Sequence, residues 1–202
     1  MSIEKTSLTP TIDDLQFTSR HDLEREVAEL RNLVKEMKLG KTVDDVSGLA
    51  NRGNFLDQAN AEFSRARRYG HELTLVVTDI LNLQRHGEEH GDTAPDQIIM
   101  AVAQMCLSSS RYGVDVLGRI TENQIAIMLP ETPLAGGLQF MSRMRRVVTE
   151  TPIMLDNGSQ VKPGIKVSAD MLRPEDDSFM DLFQRTWKRT KKNPATKKSA
   201  VA

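Results

Sequence analysis

The sequence predicts an α/β sandwich of the split βαβ type. Three observations carry that prediction. Helical and strand patterns alternate from residue 44 to residue 193. One segment, Leu73-Thr74-Leu75-Val76-Val77, is apolar on both faces, as a central strand is. Residues 114–129 read as two short strands joined by a turn near Thr121, which places a hairpin inside the alternation.

Two segments precede that domain. Residues 1–20 are rich in Ser, Thr and Asp and are expected to be disordered. Then Leu23, Val27, Leu30, Val34 and Met37 recur at alternating steps of four and three, the a/d seam of a heptad pattern. Glu24, Arg25, Glu26, Glu29, Arg31, Lys35 and Glu36 flank it, and Gly40 ends it. So short a run is unstable alone. It either packs on its own domain or pairs with a second copy, and the narrow stripe between charges favours the pair. Residues 21–43 are therefore read as a dimerising helix and hinge, with residues 21–39 forming the contact.

The domain elements follow in order. Asn54 to Tyr69 is helical, with Phe55, Ala59, Phe63 and Ala66 on one side. Glu72 to Ile80 is the central strand. Asp96 to Ser109 is a helix with Ile98, Ile99, Val102, Met105 and Cys106 on its apolar side. The hairpin comes next, then a helix from Leu134 to Thr149. Lys162 to Ala169 reads as a strand and Ser178 to Lys192 as the last helix, with Trp187 anchoring it on the sheet. Residues 194–202 form a basic, flexible tail.

Composition excludes several classes. The 27 basic and 28 acidic side chains balance, so overall charge points to no nucleic-acid partner. A single cysteine, Cys106, excludes an internal disulfide framework, and its apolar helical setting makes it core filler rather than a nucleophile. No apolar run approaches the roughly 18 residues of a membrane span. The first residues lack a basic-then-apolar signal pattern. A soluble cytoplasmic protein is expected.

Three blocks add a resemblance. They are DDVSGLANRGNF (44–55), LTLVVTDI (73–80) and VLGRITENQIAIMLP (116–130). Their order and separation resemble the GGDEF family of diguanylate cyclases, which join two GTP into cyclic di-GMP. Asp44, Val46, Ser47, Gly48, Leu49, Asn51, Arg52 and Phe55 carry the opening motif. The signature itself falls on Thr121-Glu122-Asn123-Gln124-Ile125, and none of its five letters is present. The resemblance covers residues 44–193. It implies a palm-like sheet of the nucleotide-cyclase type, and a short dimerising helix ahead of it.

It also implies site positions. Joining two GTP needs metal ions that activate a 3′-hydroxyl and clamp a phosphate, and Mg²⁺ wants carboxylate oxygens. Asp79 matches one of the family's two metal carboxylates. Asn123 stands at the other and carries no charge, and neutral Gln124 stands at the adjacent acidic position. Thr121 and Glu122 replace the two glycines, whose freedom of φ a β-branched residue lacks. Glu122 could approach the site only if a bulge re-aimed it. Leu81, Gln84 and Gly87 replace further nucleotide-contacting residues. Asp96 matches an aspartate that pairs with guanine, and equally suits an N-cap. Lys191 matches a phosphate-contacting lysine, and equally suits a solvated helix. Asp115 matches the aspartate of the inhibitory cyclic di-GMP site, while Arg111 stands one residue from its arginine, at which Tyr112 is found.

These positions predict no intact catalytic group, a vestigial Asp79 with no metal, and vestigial nucleotide contacts at Asp96 and Lys191. Asp79, without an ion, is expected to be poorly compensated. GTP or cyclic di-GMP binding is expected to be weak at best. The predicted function is a non-enzymatic signalling module that dimerises and binds a protein partner. The alternative is residual cyclase activity or a GTP or cyclic di-GMP receptor, and only then is Mg²⁺ a cofactor. Two other patterns are weighed against this. His86-Gly87-Glu88-Glu89-His90 spells the H-x-x-E-H of a metalloprotease, but Gly87 and Gly91 argue against the firm helix it needs. The basic C-terminus has no aromatic platform for nucleic acid and reads as a solvated helix end and tail.

The heptad reading has a direct check. Light scattering of the full chain at roughly tens of micromolar should give a dimer. Leu30→Glu should give a monomer, because a charge in the seam costs several kcal/mol unless dissociation relieves it.

Overall fold

The computed structural model describes residues 42–192, together with Glu24 and Val27. The chain divides into two compact units, residues 1–41 and 42–202. In the first, Glu24 and Val27 are helical and exposed. The expectations for residues 1–20, for the rest of 21–39 and for 194–202 lie outside the described residues.

The second unit is built on four strands. They are β1 (Leu73–Ile80), β2 (Val116–Thr121), β3 (Gln124–Pro130) and, after a minor two-stranded hairpin of β4 (Ile153–Met154) and β5 (Gln160–Val161), β6 (Ile165–Met171). The sheet order is β2-β3-β1-β6, with every pair antiparallel. The helices are α1 (Arg52–Tyr69), α2 (Leu83–His90), α3 (Ala94–Ser109), α4 (Leu134–Glu150) and α5 (Phe179–Lys192). This is the palm-like split βαβ arrangement expected from the sequence.

Strand β1 pairs on both edges, with β3 and with β6, and all of it but Asp79 is buried. Its side chains alternate between two cores. Val76 and Ile80 join a core with Ile98, Val102, Ile127 and Met144, under α3 and α4. Leu73, Leu75 and Val77 join a second core with Phe55, Phe63, Met128 and Phe179, under α1 and α5. Residue 79, being odd, falls on the α1–α5 face at the end of the strand.

Close approach is set by small residues. A methyl group on Gly118 would stand 2.4 Å from Phe55 Cβ, so α1 lies on β2 only because Gly118 has no side chain. Helix α1 begins where Asn51 accepts the Asn54 N–H on its side chain, and stops at Gly70 in the left-handed region.

Three sequence expectations need correction. Residues 83–90 are a helix despite Gly87. That glycine faces Pro95 of α3, where a Cβ would already be 3.3 Å from the ring, so it serves helix packing rather than a break. The 96–109 helix starts at Ala94 with Thr93 as its N-cap residue, so Asp96 is in the first turn and is not the cap. There it still complements the positive helix end. The last strand runs 165–171, not 162–169, because residues 160–161 pair with β4 and Pro163 cannot donate to a ladder.

Helix α5 is fastened to the sheet by charge. Arg185 Nε donates to Asp170 Oδ2 at 2.8 Å, and its Nη2 donates to the Met171 carbonyl at 2.9 Å. Both its Nη atoms also reach the Asp176 carboxylate. Asp170 is 1% exposed and faces Arg189 and Arg173 as well. Burial opposes ionisation of Asp176, but hydrogen bonds from Arg185 and the Arg173 N–H outweigh it and hold its carboxyl below the ordinary carboxylate range.

Arg185→Ala should therefore cost about 3 kcal/mol in urea unfolding, since it takes the principal cation from two buried carboxylates and leaves Asp170 only Arg189 and Arg173. Asp176 also predicts an acid dependence. Its folded pKa is depressed, so on acidification the unfolded chain takes the proton first. The stabilisation is complete above the unfolded value near 4 and is lost as pH falls through the folded one. In Arg185→Ala that slope between neutral and acid pH should flatten.

Candidate functional site

The hairpin turn, the end of β1 and two helix N-termini enclose an open cavity of about 630 Å³. Ile80 ends the strand, and Glu122 and Asn123 form the two-residue turn between β2 and β3. Asn82 and Gln84 come from the start of α2, and Asp96 from the first turn of α3. Asn82 adopts a left-handed backbone, φ 59°, which a short polar side chain tolerates, and this turns the chain from β1 into α2.

Asn123 is locked at the centre. Its Nδ2 donates to Asp79 Oδ1 at 2.7 Å and to the Ile80 carbonyl at 3.4 Å. The Thr121 hydroxyl donates to its Oδ1 at 3.1 Å, and its carbonyl accepts the Ile80 N–H at 2.8 Å. The side-chain orientation is thus the one that satisfies both the carboxylate and the hydroxyl. Thr121 ends β2 and Glu122 begins the turn, both without positive φ, so this turn runs without the glycines it replaces.

Asp79 therefore has a hydrogen-bond donor beside it, although burial still outweighs its partners. Partial burial pushes its pKa above the ordinary range. The Gln124 amide, opposite it in register, and the charges of Lys166 and Lys191 pull the other way. Gln124 itself is buried in the sheet.

The sequence-predicted residues divide into two groups. Asp79, Asp96, Asn123 and Gln124 gather at this end of the sheet. Lys191 approaches from α5, but its Nζ sits 3.9 Å over the Trp187 ring. Trp187 packs on the α1–α5 core, as the anchor reading expected. Arg111 and Asp115 lie at the other end of the hairpin, beside Pro130. There Arg111 Nη2 meets Asp115 Oδ1 at 2.6 Å and also donates to the Pro130 carbonyl and Thr132 Oγ1. The displaced arginine does reach the aspartate, and the pair line a second, smaller cavity of about 190 Å³. Tyr112, at the arginine position, is fully exposed.

The β2–β3 register shifts between Arg119 and Thr121, and Glu122 lines the larger cavity from the turn that follows. Its carbonyl accepts Arg119 Nη2 at 2.9 Å. Among the described residues, no trio of His, Cys, Asp or Glu that includes Asp79 or Glu122 converges to metal-binding distance.

Arg119 is a residue that the sequence analysis did not single out. Its Nη1 donates to Asp44 Oδ1 at 3.2 Å, so one guanidinium joins the turn to the block at the domain entrance. Ser47 completes that corner, its N–H and hydroxyl both donating to Asp44 Oδ1 at 2.8 Å. The signal was available: an arginine two residues before the signature, and an aspartate opening the motif.

Known proteins share this framework. The chain is 24% identical over 132 residues to the diguanylate cyclase DgcP of Pseudomonas aeruginosa, covering 65% of this chain and 20% of that protein. It is 26% identical over 150 residues to the probable diguanylate cyclase DgcC of Escherichia coli, covering 74% and 40%. The chain thus spans less than half the length of these curated relatives. Among solved structures it is similar to the coiled coil and GGDEF domain of DgcB from Caulobacter crescentus in complex with c-di-GMP, with TM-score 0.71, 19% identity and coverage of 85% and 90%. It is also similar to the diguanylate cyclase SiaD in complex with its activator SiaC from Pseudomonas aeruginosa, with TM-score 0.70, 20% identity and coverage of 85% and 66%. The family described as diguanylate cyclase, GGDEF domain, matches residues 41–198, and this chain belongs to it.

Proposed function

We propose that this chain is a non-enzymatic regulatory module of cyclic di-GMP signalling, a GGDEF scaffold that dimerises through residues 21–39 and binds a protein partner. One observation carries the reading: the Asn123 amide donates its N–H to Asp79 at the place where the family's chemistry needs a second carboxylate. A divalent ion held between those positions requires oxygen acceptors on both sides. Here one side presents a donor, and Lys166 and Lys191 add positive charge. These residues do not fit Mg²⁺, and no reaction step is assigned to it.

A protein partner is consistent with the SiaD neighbour, which was solved with an activator protein. A helix leading into the domain is consistent with the DgcB neighbour and its coiled coil. Among the described residues no helix is long and apolar enough to cross a membrane. We assign the chain to the cytoplasm.

A receptor for GTP or cyclic di-GMP is the second reading. The 630 Å³ cavity is of ligand size, and Asp96 lines it. The substituted loop positions Leu81, Gln84 and Gly87 leave a nucleotide's polar edges unpaired, which lowers affinity.

Incubation with GTP and Mg²⁺ or Mn²⁺, read by chromatography, should yield no cyclic di-GMP. Product above the level of an Asp79→Ala control would overturn the reading. GTP should also leave the melting temperature unchanged, whereas a bound nucleotide would raise it by mass action. A rise that Asp79→Asn abolishes would favour the receptor.

Asp79→Asn tests the site without ligand. The raised pKa means that the ionised carboxylate is less comfortable folded than unfolded at neutral pH. An asparagine oxygen can still accept from Asn123. The melting temperature should be unchanged or higher, while Asp79→Ala, which removes the acceptor, should lower it.

A further inference from the structure

Helix α2 carries a second group of side chains, outside the Asp79–Asn123 site. His86, Glu89 and His90 stand at i, i+3 and i+4, on one face of the helix. Each offers a ligand atom, and the three atoms lie within 4.8 Å of one another. The two imidazoles are stacked, with centroids 5.9 Å apart and planes 19° from parallel.

The surroundings hold this group in place. Arg85 Nε donates to Glu89 Oε1 at 2.6 Å, which leaves Oε2 on the His90 side, 3.9 Å from Nε2. His86 is buried. The His90 carbonyl accepts Asn157 Nδ2 at 2.8 Å, which ties the end of α2 to the β4–β5 hairpin. Gly87, packed on Pro95, fixes the middle of the helix.

We propose that His86, Glu89 and His90 bind a divalent transition-metal ion of the Zn²⁺ class, with two imidazole nitrogens, one carboxylate oxygen and a fourth position open to solvent. Imidazole with carboxylate is the donor set that suits Zn²⁺. Bonds of about 2.0–2.2 Å in a tetrahedron place ligand atoms about 3.3–3.6 Å apart. The observed spread closes to that by rotation of Glu89 and His90, the less buried members. Mg²⁺ prefers an all-oxygen shell and is not expected here.

The site is a binding site and not a peptidase. In H-x-x-E-H chemistry the glutamate serves as the base and a third protein ligand comes from elsewhere. Here Glu89 is itself the third ligand, and among the described residues no further His, Cys, Asp or Glu joins the group. Cys106 does not compete, because burial pushes its thiol up to about 12 and keeps it protonated. The start of α2 lines the large cavity, so an ion bridging its last turn would stiffen one wall of that cavity. The inference does not depend on whether the cavity binds nucleotide.

The full chain is titrated with Zn²⁺ against a chromophoric chelator, and with Co²⁺ to read visible absorption from a tetrahedral site. One equivalent of Zn²⁺ should bind and raise the melting temperature, and an equal concentration of Mg²⁺ should not. His90→Gln and Glu89→Gln each leave the buried His86 in place and should each weaken binding by about tenfold or more. His71→Gln and Cys106→Ser should bind as the unmodified chain does. Failure of the unmodified chain to take up Zn²⁺ would overturn the proposal, as would undiminished affinity in both His90→Gln and Glu89→Gln.

Discussion

Strand β1 is the constraint on which the rest of the structure depends. It is hydrogen-bonded on both edges and buried on both faces, so two cores, two neighbouring strands and the helices over each face are positioned from one eight-residue run. Seven of those residues have no reason to be charged. The remaining one, Asp79, falls where the strand emerges, and its alternation places it on the α1–α5 face beside β3 and β6. A carboxylate at such a point must be answered by an ion, a cation side chain or a hydrogen-bond donor. In this chain the answer is an amide from the neighbouring turn, with two lysines at longer range.

The other charges follow the same logic at the edges of the fold. Asp170 and Asp176 are buried, and both are met by the fork of Arg185, whose planar geometry serves two carboxylates and a carbonyl at once. Asp44 and Arg119 join the entrance block to the hairpin turn. Arg111 and Asp115 close the opposite end of that hairpin. Each pairing spends a charge on holding two elements together, and a guanidinium so engaged is less available to a phosphate.

The fold was legible because burial writes itself as periodicity. The steps of four in α1, from Phe55 to Ala59 to Phe63, and the two-faced apolar run of β1 each identified an element and its orientation. Where the reading went wrong, a second neighbour changed the meaning of a residue. Gly87 looked like a helix break and is instead the contact that admits Pro95. Lys162 looked like the start of the last strand, but it follows residues 160–161, which pair with β4. Of the site, the residue types at positions 79, 96, 123 and 124 were legible, and so was their gathering at one end of the sheet. The hydrogen bond from Asn123 to Asp79 was not. It depends on a side-chain rotation set by Thr121, and no spacing in the sequence encodes it.

The distribution of these residues explains how the scaffold tolerates a replaced signature. Thr121, Glu122 and Asn123 occupy the end of β2 and the turn, where their side chains are exposed or partly so. Neither apolar core includes them. Gln124 and Ile125, in β3, are the buried members of the five, and Ile125 adds apolar volume to the core under α3 and α4. Gln124 lies opposite Asp79, so a neutral amide there spares β1 a second negative charge across the ladder, where like charges are destabilising. Neutral residues at these positions therefore place no second negative charge beside Asp79 and leave the packing intact. Chemistry at this position is held by a few turn residues, and the fold by the strand interiors behind them. The two can change independently because they share only the backbone of the hairpin.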